Sequence, residues 1–416
     1  MAILVGSGKR LTTDDGIPYM WQSGDVTTAP NEVGIITASD GAQYDYFGRS
    51  VAVGSGRIVV GAFFKNIGSN AQQGSAYIFD LDGNQLGILT ASDGATNDFF
   101  GSSVAVGSGR IVVGATGDDD NGPQSGSAYI FDLDGNQLGI ITASDGSTTD
   151  DSFGYSVAVG CGRIVVGAIG HDIGSNNNQG SAYIYDLDGN NEVKITAGSD
   201  GAAFDVFGAS VAVGSGRIVV GAYGDDDNGS QSGSAYIFDL DGNQLGIITA
   251  SDGAAGDNFG RSVAVGSGRI VVGSPYKQIG SNTDQGSAYI FDLDGNQLGI
   301  LTASDGAVND SHDEFGYSVA VGFGRIVVGV RGGYDSGTNP GLAYIYDLDG
   351  NNEVRIIASD AAGFDEFGYS VAVGSGRIVV GAPNNDIGSN DNQGSAYLYE
   401  IPPVYTLYDA IDLNYG

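Results

Sequence analysis

The chain has 416 residues, of which 50 are acidic and 16 are basic, and its formal net charge is −34 at pH 7. This balance argues against a nucleic-acid partner, because phosphate binding needs clustered lysine and arginine, and it disfavours anionic membrane surfaces. A single cysteine excludes a disulfide framework, and the absence of a long apolar run argues against membrane insertion.

The first thirty residues predict an extension outside the folded repeats. Lys9 and Arg10 follow a very short apolar run, whereas a secretory signal places its basic residues before a longer apolar core. We therefore expect no cleaved signal. Residues 1–30 include Trp21, the only tryptophan, and we expect this segment to dock onto neighbouring protein subunits.

A segment then recurs seven times along the chain. Its marker is a Phe-Gly pair followed by a small apolar stretch, and successive pairs lie 52 to 56 residues apart. The pairs begin at Phe47, Phe100, Phe153, Phe207, Phe259, Phe315 and Phe367. A regular period of this length, rich in short strands, is typical of a β-propeller, in which each unit buries its core by stacking on its neighbours.

The first unit predicts the four antiparallel strands of one propeller blade. The strands are expected at Ser50–Gly54, Arg57–Ala62, Ser75–Asp80 and Gln85–Thr90. The first is built from small residues, as a crowded central channel requires, and the second is β-branched at its centre. An Asp-Gly pair supplies the positive φ angles of the last hairpin turn.

The two ends of the repeat region predict how the ring closes. The seventh unit stops after its third strand, Ser395–Glu400, and is followed by two prolines instead of a hairpin. The segment starting at Asn31 matches the fourth strands of the other units, so we expect it to complete the last blade and remove two exposed sheet edges. The predicted fold is thus an all-β, seven-bladed propeller over 31–400. Residues 401–416, with Tyr408, form a C-terminal extension.

These residues resemble the FG-GAP repeat family, whose best-known members are the heads of integrin α subunits. The Phe-Gly pair, the Val60-Gly61-Ala62 stretch and the Gly-Ser-Ala-Tyr-Ile strand carry the resemblance across residues 31–400. It implies a seven-bladed propeller used for adhesion or scaffolding, and the Ser-Asp-Gly-Ala variant is similar to bacterial and marine-phage members. The family's calcium loop is absent, because the hairpin that would hold it is only Gly54-Ser55-Gly56.

Acidic residues form two further patterns. The Asp-Leu-Asp-Gly-Asn segments predict plain hairpin turns, with Arg57 lying beside Asp80 across the strands. The loops between second and third strands contain acidic runs that are candidate Ca²⁺ ligands, at Asp118, Asp119, Asp120, Asp225, Asp226 and Asp227. An aspartate also precedes every Phe-Gly pair, and we expect both kinds of loop on one propeller face. Oxygen-rich loops suit Ca²⁺, and solvated turns are the alternative.

The same loops are the candidate interaction surface, because recognition usually lies on variable loops of a rigid scaffold. We expect them to expose aromatic and basic side chains on one face. The candidates are Phe64, Lys65, His171, Tyr276, Lys277, Arg331 and Tyr334, together with Trp21 and Tyr408 of the extensions. Drift of unconstrained loops is the alternative interpretation.

The repeated acids argue against catalysis, since a sugar-cleaving enzyme needs distinct carboxylates in one pocket. We therefore expect a non-enzymatic structural protein of a bacteriophage virion, in a tail, fibre or capsid-decorating position. Its partners would be neighbouring virion subunits and a host surface protein or glycan, with no nucleic acid and no membrane insertion. A secreted or cell-surface bacterial adhesin is the alternative, and a glycan-active enzyme is the third possibility.

Overall fold

The structure is a computed structural model. It describes residues 30–146, 150–305, 313–332 and 339–401, and a short antiparallel pair, Leu11–Thr12 with Pro18–Tyr19. Over the described ranges the chain forms seven four-stranded antiparallel sheets. The helical content of these ranges is one 3-10 turn, Gly198–Asp200, and none of the described helices is long and apolar enough to cross a membrane.

Each sheet is one blade, numbered here from one to seven by its innermost strand. The innermost strands are Ser50–Gly54, Phe100–Gly107, Phe153–Gly160, Ser210–Gly214, Ser262–Gly266, Phe315–Gly322 and Ser370–Gly374. The second strands are Arg57–Ala62, Arg110–Ala115, Arg163–Ala168, Arg217–Ala222, Arg269–Ser274, Arg325–Val330 and Arg377–Ala382.

The third and outermost strands form the outer half of each blade. The third strands are Ser75–Phe79, Ser127–Phe131, Ser181–Asp186, Ser234–Phe238, Ser287–Phe291, Leu342–Asp347 and Ser395–Glu400. The outermost strands of blades one to six are Gln85–Leu89, Gln137–Ile141, Val193–Ile195, Gln244–Ile248, Gln297–Leu301 and Val354–Ile356. Blade seven takes Glu32–Ile36 as its outermost strand.

The N-terminal strand closes the ring by completing the last blade, as predicted. Ile35 pairs with Tyr397 and Ile36 with Ala396, which repeats the pairing of Ile88 with Tyr77 in blade one. The predicted closure is therefore confirmed. Because the two ends of the repeat region meet within one sheet, each sequence repeat begins with the last strand of the preceding blade.

Burial explains why the two middle strands repeat so closely. All residues of Ser75–Phe79 are buried, as are all but the first of Arg57–Ala62, because neighbouring blades cover both faces of each sheet. The outermost strand Gln85–Leu89 instead alternates partly and fully exposed positions before its buried last residue, as an edge strand does. A continuous apolar sequence is thus needed only at the centre of each blade.

The Phe-Gly pairs hold adjacent blades together. Phe47 is fully buried, and its ring lies edge-on to Tyr77 at 5.4 Å and to Phe79 at 6.0 Å. Gly48 has φ +94°, and a Cβ there would meet the carbonyl oxygen of Ser395 in blade seven. The pair therefore combines a hydrophobic wedge with a backbone contact that only glycine permits.

Seven serine hydroxyls reinforce the ring around its axis. Each donates to the carbonyl of the Phe-Gly glycine in the next blade, as Ser50 does to Gly101 at 2.8 Å and Ser370 does to Gly48 at 2.7 Å. The other donors are Ser103, Ser156, Ser210, Ser262 and Ser318. The hydrogen bond between blades seven and one is the same as those between the other blades, so the closure point has the same interblade hydrogen bond as the rest of the ring.

In six blades the arginine that begins the second strand pairs with an aspartate of the neighbouring blade, and in blade seven the expected cross-strand pair, Arg377 with Glu400 at 3.7 Å, forms as well. Arg57 reaches Asp134 of the next blade at 3.6 Å, while the carboxylate of Asp80 accepts hydrogen bonds from Asn84 and the amide of Asp82 within its own turn. The other interblade pairs are Arg110–Asp188, Arg163–Asp241, Arg217–Asp294, Arg269–Asp349 and Arg377–Asp82. The predicted Arg57–Asp80 pair is wrong, because the long arginine side chain crosses to the neighbouring hairpin. The predicted hairpin turns are confirmed.

Candidate functional site

The loops after the second strands and the connectors before the Phe-Gly pairs lie on one face, as the sequence predicted. The loop of blade one runs beside the connector into blade two, where the amide of Phe100 donates to the carbonyl of Gln73 at 2.8 Å. The same contact joins Phe47 to Gln393 across the closure. We call this end of the propeller the loop face.

A cavity opens on the loop face at the axis of the ring. Its volume is about 410 Å³, and its lining includes the residue that follows Phe-Gly in every blade. These residues are Arg49, Ser102, Tyr155, Ala209, Arg261, Tyr317 and Tyr369. A second cavity of about 490 Å³ shares Arg49, Phe63 and Arg261 with it, so the two form one depression that we call the axial basin. Its size suits a small ligand or the end of a larger one.

The residue before each Phe also faces this end of the molecule in a strained conformation. All seven have φ between 53° and 58°, the left-handed region that non-glycine residues rarely adopt. They are Tyr46, Phe99, Ser152, Val206, Asn258, Glu314 and Glu366. The strain is retained at each blade because the Phe-Gly packing and the adjacent loop fix the backbone on both sides.

Two arginines of the basin are held by aromatic rings. The guanidinium carbon of Arg49 lies 4.6 Å from the ring centre of Phe63 and 5.0 Å from that of Tyr369. Arg261 lies 5.0 Å from Tyr317 and 5.5 Å from Tyr223, and it donates a hydrogen bond to the Tyr317 hydroxyl. Cation–π contacts orient both guanidinium groups without neutralising their charge.

A third arginine is neutralised by a carboxylate. Arg331 makes a two-point ion pair with Glu314, with nitrogen–oxygen distances of 2.9 Å, and also stacks on Tyr317 at 4.6 Å. Burial raises the pKa of Glu314, and the charge of Arg331 opposes that rise. This pair forms a fixed wall beside the two cation–π arginines.

The part of the basin formed by blade one is aromatic. Phe63 and Phe64 lie in contact, with ring centres 4.0 Å apart, and Phe64 lies 5.4 Å from Tyr46 and 5.5 Å from Phe99. Phe64 is half-buried in this cluster. The basin is therefore lined by arginine and aromatic side chains that alternate around the axis, with Arg49 stacked on Phe63 itself.

The phenols near the basin do not cancel its positive charge. Burial raises the pKa of Tyr223, Tyr276 and Tyr369, so these hydroxyls are neutral at physiological pH. Among the described residues, Arg49, Arg261 and Arg325 have no carboxylate within 4.0 Å, whereas eleven other lysines and arginines do. Two of these three unpaired arginines lie at the axis of a strongly acidic protein, in a basin whose lining also includes Glu366.

Three of the predicted interaction residues are buried, which contradicts the expected exposure. Lys65, Lys277 and His171 are each 5 to 6% exposed. Lys65 donates to the carboxylate of Asp45 at 3.0 Å and to the carbonyl of Asp40, and Lys277 makes the same contacts with Asp257 and Asp252. These side chains tie a loop to its own connector, so they are unsuited to direct contact with a partner.

The remaining interaction candidates divide into two groups. Phe64 and Arg331 line the axial basin, and Tyr276 is half-buried nearby. Tyr334, Trp21 and Tyr408 lie outside the residues that the structure describes. The proposed interaction role of all these residues stays a prediction.

The loop position that holds Lys65 is occupied by aspartate in blades two and four. Asp118 and Asp225 are buried there, at 3% and 1% exposure, although the nearby connectors keep their own aspartates. In blade four, one carboxylate oxygen each of Asp200, Asp225 and Asp227 lie within 4.8 Å of one another. The Tyr236 hydroxyl lies 2.8 Å from Asp200 and 3.0 Å from Asp225.

This arrangement brings together part of the predicted calcium set. Buried Asp225 and exposed Asp227 approach Asp200, which was not among the predicted ligands, whereas Asp119, Asp120 and Asp226 are exposed and lie outside this group. The oxygens of blade four could hold a divalent cation in the place where blade one holds an ammonium group. Calcium binding stays a prediction.

Sequence reasoning missed Arg49, Arg261, Tyr155, Tyr317 and Tyr369. The sequence contained a usable signal. The residue after Phe-Gly is arginine, serine, tyrosine or alanine, whereas the serine directly after it and the following Val-Ala-Val are the same in every unit. A position that varies among otherwise identical repeats marks where the surfaces of the blades differ. What the repeat does not reveal is that all seven positions meet at one cavity.

Comparison with known families agrees with this architecture. The family model described as FG-GAP repeat matches seven segments, at residues 30–79, 84–131, 136–185, 190–238, 243–291, 296–346 and 351–399. Each match begins near an outermost strand and ends near the third strand of the following blade, in the phase that the closure requires. No match to a protein of curated function was found. The chain belongs to the FG-GAP repeat family of β-propellers.

Proposed function

We propose that this chain is a recognition and structural propeller that binds its partner through the axial basin of the loop face. The observation that carries the proposal is the basin itself, where Arg49, Arg261 and an aromatic wall meet in a protein of net charge −34. FG-GAP propellers are typically non-enzymatic interaction modules, which agrees with this role.

The contrast between the repeated core residues and the variable basin residues supports the proposal. Buried strands, wedge phenylalanines and the serine ring are nearly the same in every blade, whereas the residues that line the basin differ. A rigid frame lowers the entropic cost of binding, since the binding residues are held in place beforehand.

We further propose that the protein is a component of a bacteriophage virion, with the terminal extensions docking onto neighbouring subunits. Strong acidity and scarce lysine suit a saline exterior and support this setting. A secreted or cell-surface bacterial adhesin is the second candidate, favoured by the integrin-like family and by the same basin.

The two settings are distinguished by where the protein is found. Mass spectrometry of gradient-purified virus particles should detect the chain at a stoichiometry above that of contaminants. Its absence from particles, together with its presence in the surface fraction of uninfected bacteria, would replace the virion proposal by the adhesin. Binding of the purified chain to host cells, compared between wild type and Phe64→Ala, tests the recognition role in either setting.

A further inference from the structure

We propose that the axial basin binds a saccharide that bears a carboxylate. This inference rests on the recognition role proposed above and specifies the chemical class of the ligand. It is carried by the two arginines at the axis, by the aromatic side chains that line the basin with them and by the acidic surroundings of the basin.

The first step is the unbalanced charge. Arg49 and Arg261 are partly buried and stacked on aromatic rings, and no carboxylate of the described residues pairs with them. A partly desolvated cation without a counter-ion is unfavourable, and an anion that enters the basin removes this cost. Arginine binds planar carboxylates through two parallel hydrogen bonds, which makes a carboxylate a suitable anion.

The second step is the aromatic surface of the basin. Phe63 and Phe64 present partly exposed rings, and Tyr155, Tyr317 and Tyr369 add aromatic surface with a polar tip. The C–H face of a pyranose ring packs on such surfaces, while its hydroxyl groups need neighbouring hydrogen-bond partners. The tyrosine hydroxyls and the Ser102 side chain supply partners of this kind along the basin.

The third step is the charge outside the basin. The loops around it expose carboxylates, among them Asp119, Asp226 and Asp386. A ligand with many negative charges, such as an acidic peptide or a polyphosphate, would be repelled by these loops before reaching the arginines. The surface therefore favours a single carboxylate carried on a neutral, hydroxyl-rich body.

The volume fits the same ligand class. Cavities of about 410 and 490 Å³ that overlap at the axis can accept one or two sugar rings. Because all seven blades contribute to the lining, the ligand would enter along the ring axis with its carboxylate toward Arg49 or Arg261.

The test is isothermal titration of the purified full chain with glucuronate and with a glucose oligosaccharide that bears one glucuronate, and with glucose and its oligosaccharides as the neutral counterpart. We expect binding of the acidic sugars with affinity that falls as salt is added. Arg49→Gln and Arg261→Gln should each weaken that binding roughly tenfold to hundredfold, because each removes charged hydrogen bonds. Arg355→Gln is the matched control, since Arg355 lies on the outermost strand of blade six and pairs with Asp305.

The outcomes separate this inference from the recognition role. Suppose that glucose oligosaccharides bind as tightly as the acidic sugars, and that this binding is lost in Phe64→Ala and kept in Arg261→Gln. That result would retain the recognition role and overturn the acidic ligand. Tighter binding of an acidic peptide or inorganic phosphate than of glucuronate would also overturn the inference. Binding to host cells that Phe64→Ala does not reduce would instead contradict the recognition role. Melting curves for every variant establish that the propeller is folded.

Discussion

At the scale of single residues, the most instructive position is the buried loop site that follows each second strand. It is lysine in blades one and five, histidine in blade three, aspartate in blades two and four and asparagine in blade seven. The connector packed against it contributes aspartates in each case, such as Asp45 beside Lys65 and Asp365 in blade seven. The same backbone thus holds a compensated ion pair in some blades and clustered acids in others.

Removing the lysine should destabilise blade one. Lys65→Met leaves Asp45 buried at 2% exposure without its ammonium partner, and breaking a buried pair from one side costs about 3 kcal/mol or more. Urea unfolding should therefore show a lower free energy of unfolding. Arg355→Met, at a half-exposed pair, is the control and should change it by less than about 1 kcal/mol. Equal effects of the two variants would contradict the structural role of Lys65.

Asp365 should make stability depend on pH. Burial raises the pKa of Asp365 to about 6, and the nearby carboxylates of Asp360 and Asp386 add to the effect against the hydrogen bond from Ala362. A carboxyl with a raised pKa favours the fold when protonated, so its contribution is complete below pH 3.8 and is lost as the pH rises through about 6.

We therefore expect the free energy of unfolding to fall between pH 4 and pH 7, and Asp365→Asn to flatten part of that fall. Asp80→Asn is the control of opposite sign, because hydrogen bonds from Asn84 lower the pKa of Asp80 and its contribution is lost only in more acidic solution. A slope between pH 4 and pH 7 that is unchanged in Asp365→Asn would refute the assignment.

At the scale of elements, the loop after each second strand occupies the same place in every blade, while the charge of its buried side chain differs among blades. In blade one the loop is fastened to its connector by a lysine amine, whereas in blade four the equivalent carboxylate of Asp225 faces Asp200 and Asp227. Clustered carboxylates repel each other unless a cation or protons intervene. The acidic loops should consequently be less stable than the lysine loops in the absence of a divalent cation.

Calcium should raise the melting temperature of the wild-type protein, and a chelator should reverse the change. Asp225→Lys should place an ammonium group among the acids of blade four, as Lys65 does in blade one, and so reduce the response to calcium. Asp172→Lys, at an exposed loop position of blade three, is the matched control and should leave the response intact. Melting that is unaffected by calcium and chelator would identify these loops as plain acidic turns.

At the scale of the whole molecule, closure depends on a strand that is distant in sequence from its partner. Glu32–Ile36 pairs with Ser395–Glu400, and Ile36 belongs to the same buried cluster as Phe47 and Leu398. Since a propeller blade stacks only on its neighbours, a gap at this point leaves two blades without full cover.

Deleting residues 1–37 should therefore lower the melting temperature sharply and expose the edge of the strand Ser395–Glu400. Deleting residues 1–29 is the matched control, because it keeps the closing strand and should preserve the stability of the ring. Differential scanning calorimetry and size-exclusion chromatography would detect the loss of stability and any edge-to-edge association. Equal melting of the two deletions would contradict the closure as a stabilising contact.

The sequence by itself determined the repeat, the four strands of each blade, the number of blades and the source of the closing strand. These follow from local patterns: the Phe-Gly spacing, the β-branched Arg-Ile-Val-Val segments and the missing last hairpin after Glu400. Near-identical copies make such patterns easy to read, because each blade repeats the same strand signals and the same turn residues.

Only the tertiary structure decided which side chains are available. Lysine in a polar loop is ordinarily exposed, yet Lys65 is buried because the connector of its own blade brings Asp45 against it. Arg57 crosses to Asp134 because adjacent blades place their hairpins within its reach. Arg49 and Arg261 lie far apart in the chain, yet both line one cavity. The reason is that the ring brings the start of every inner strand to a common axis. No local sequence pattern contains this relation.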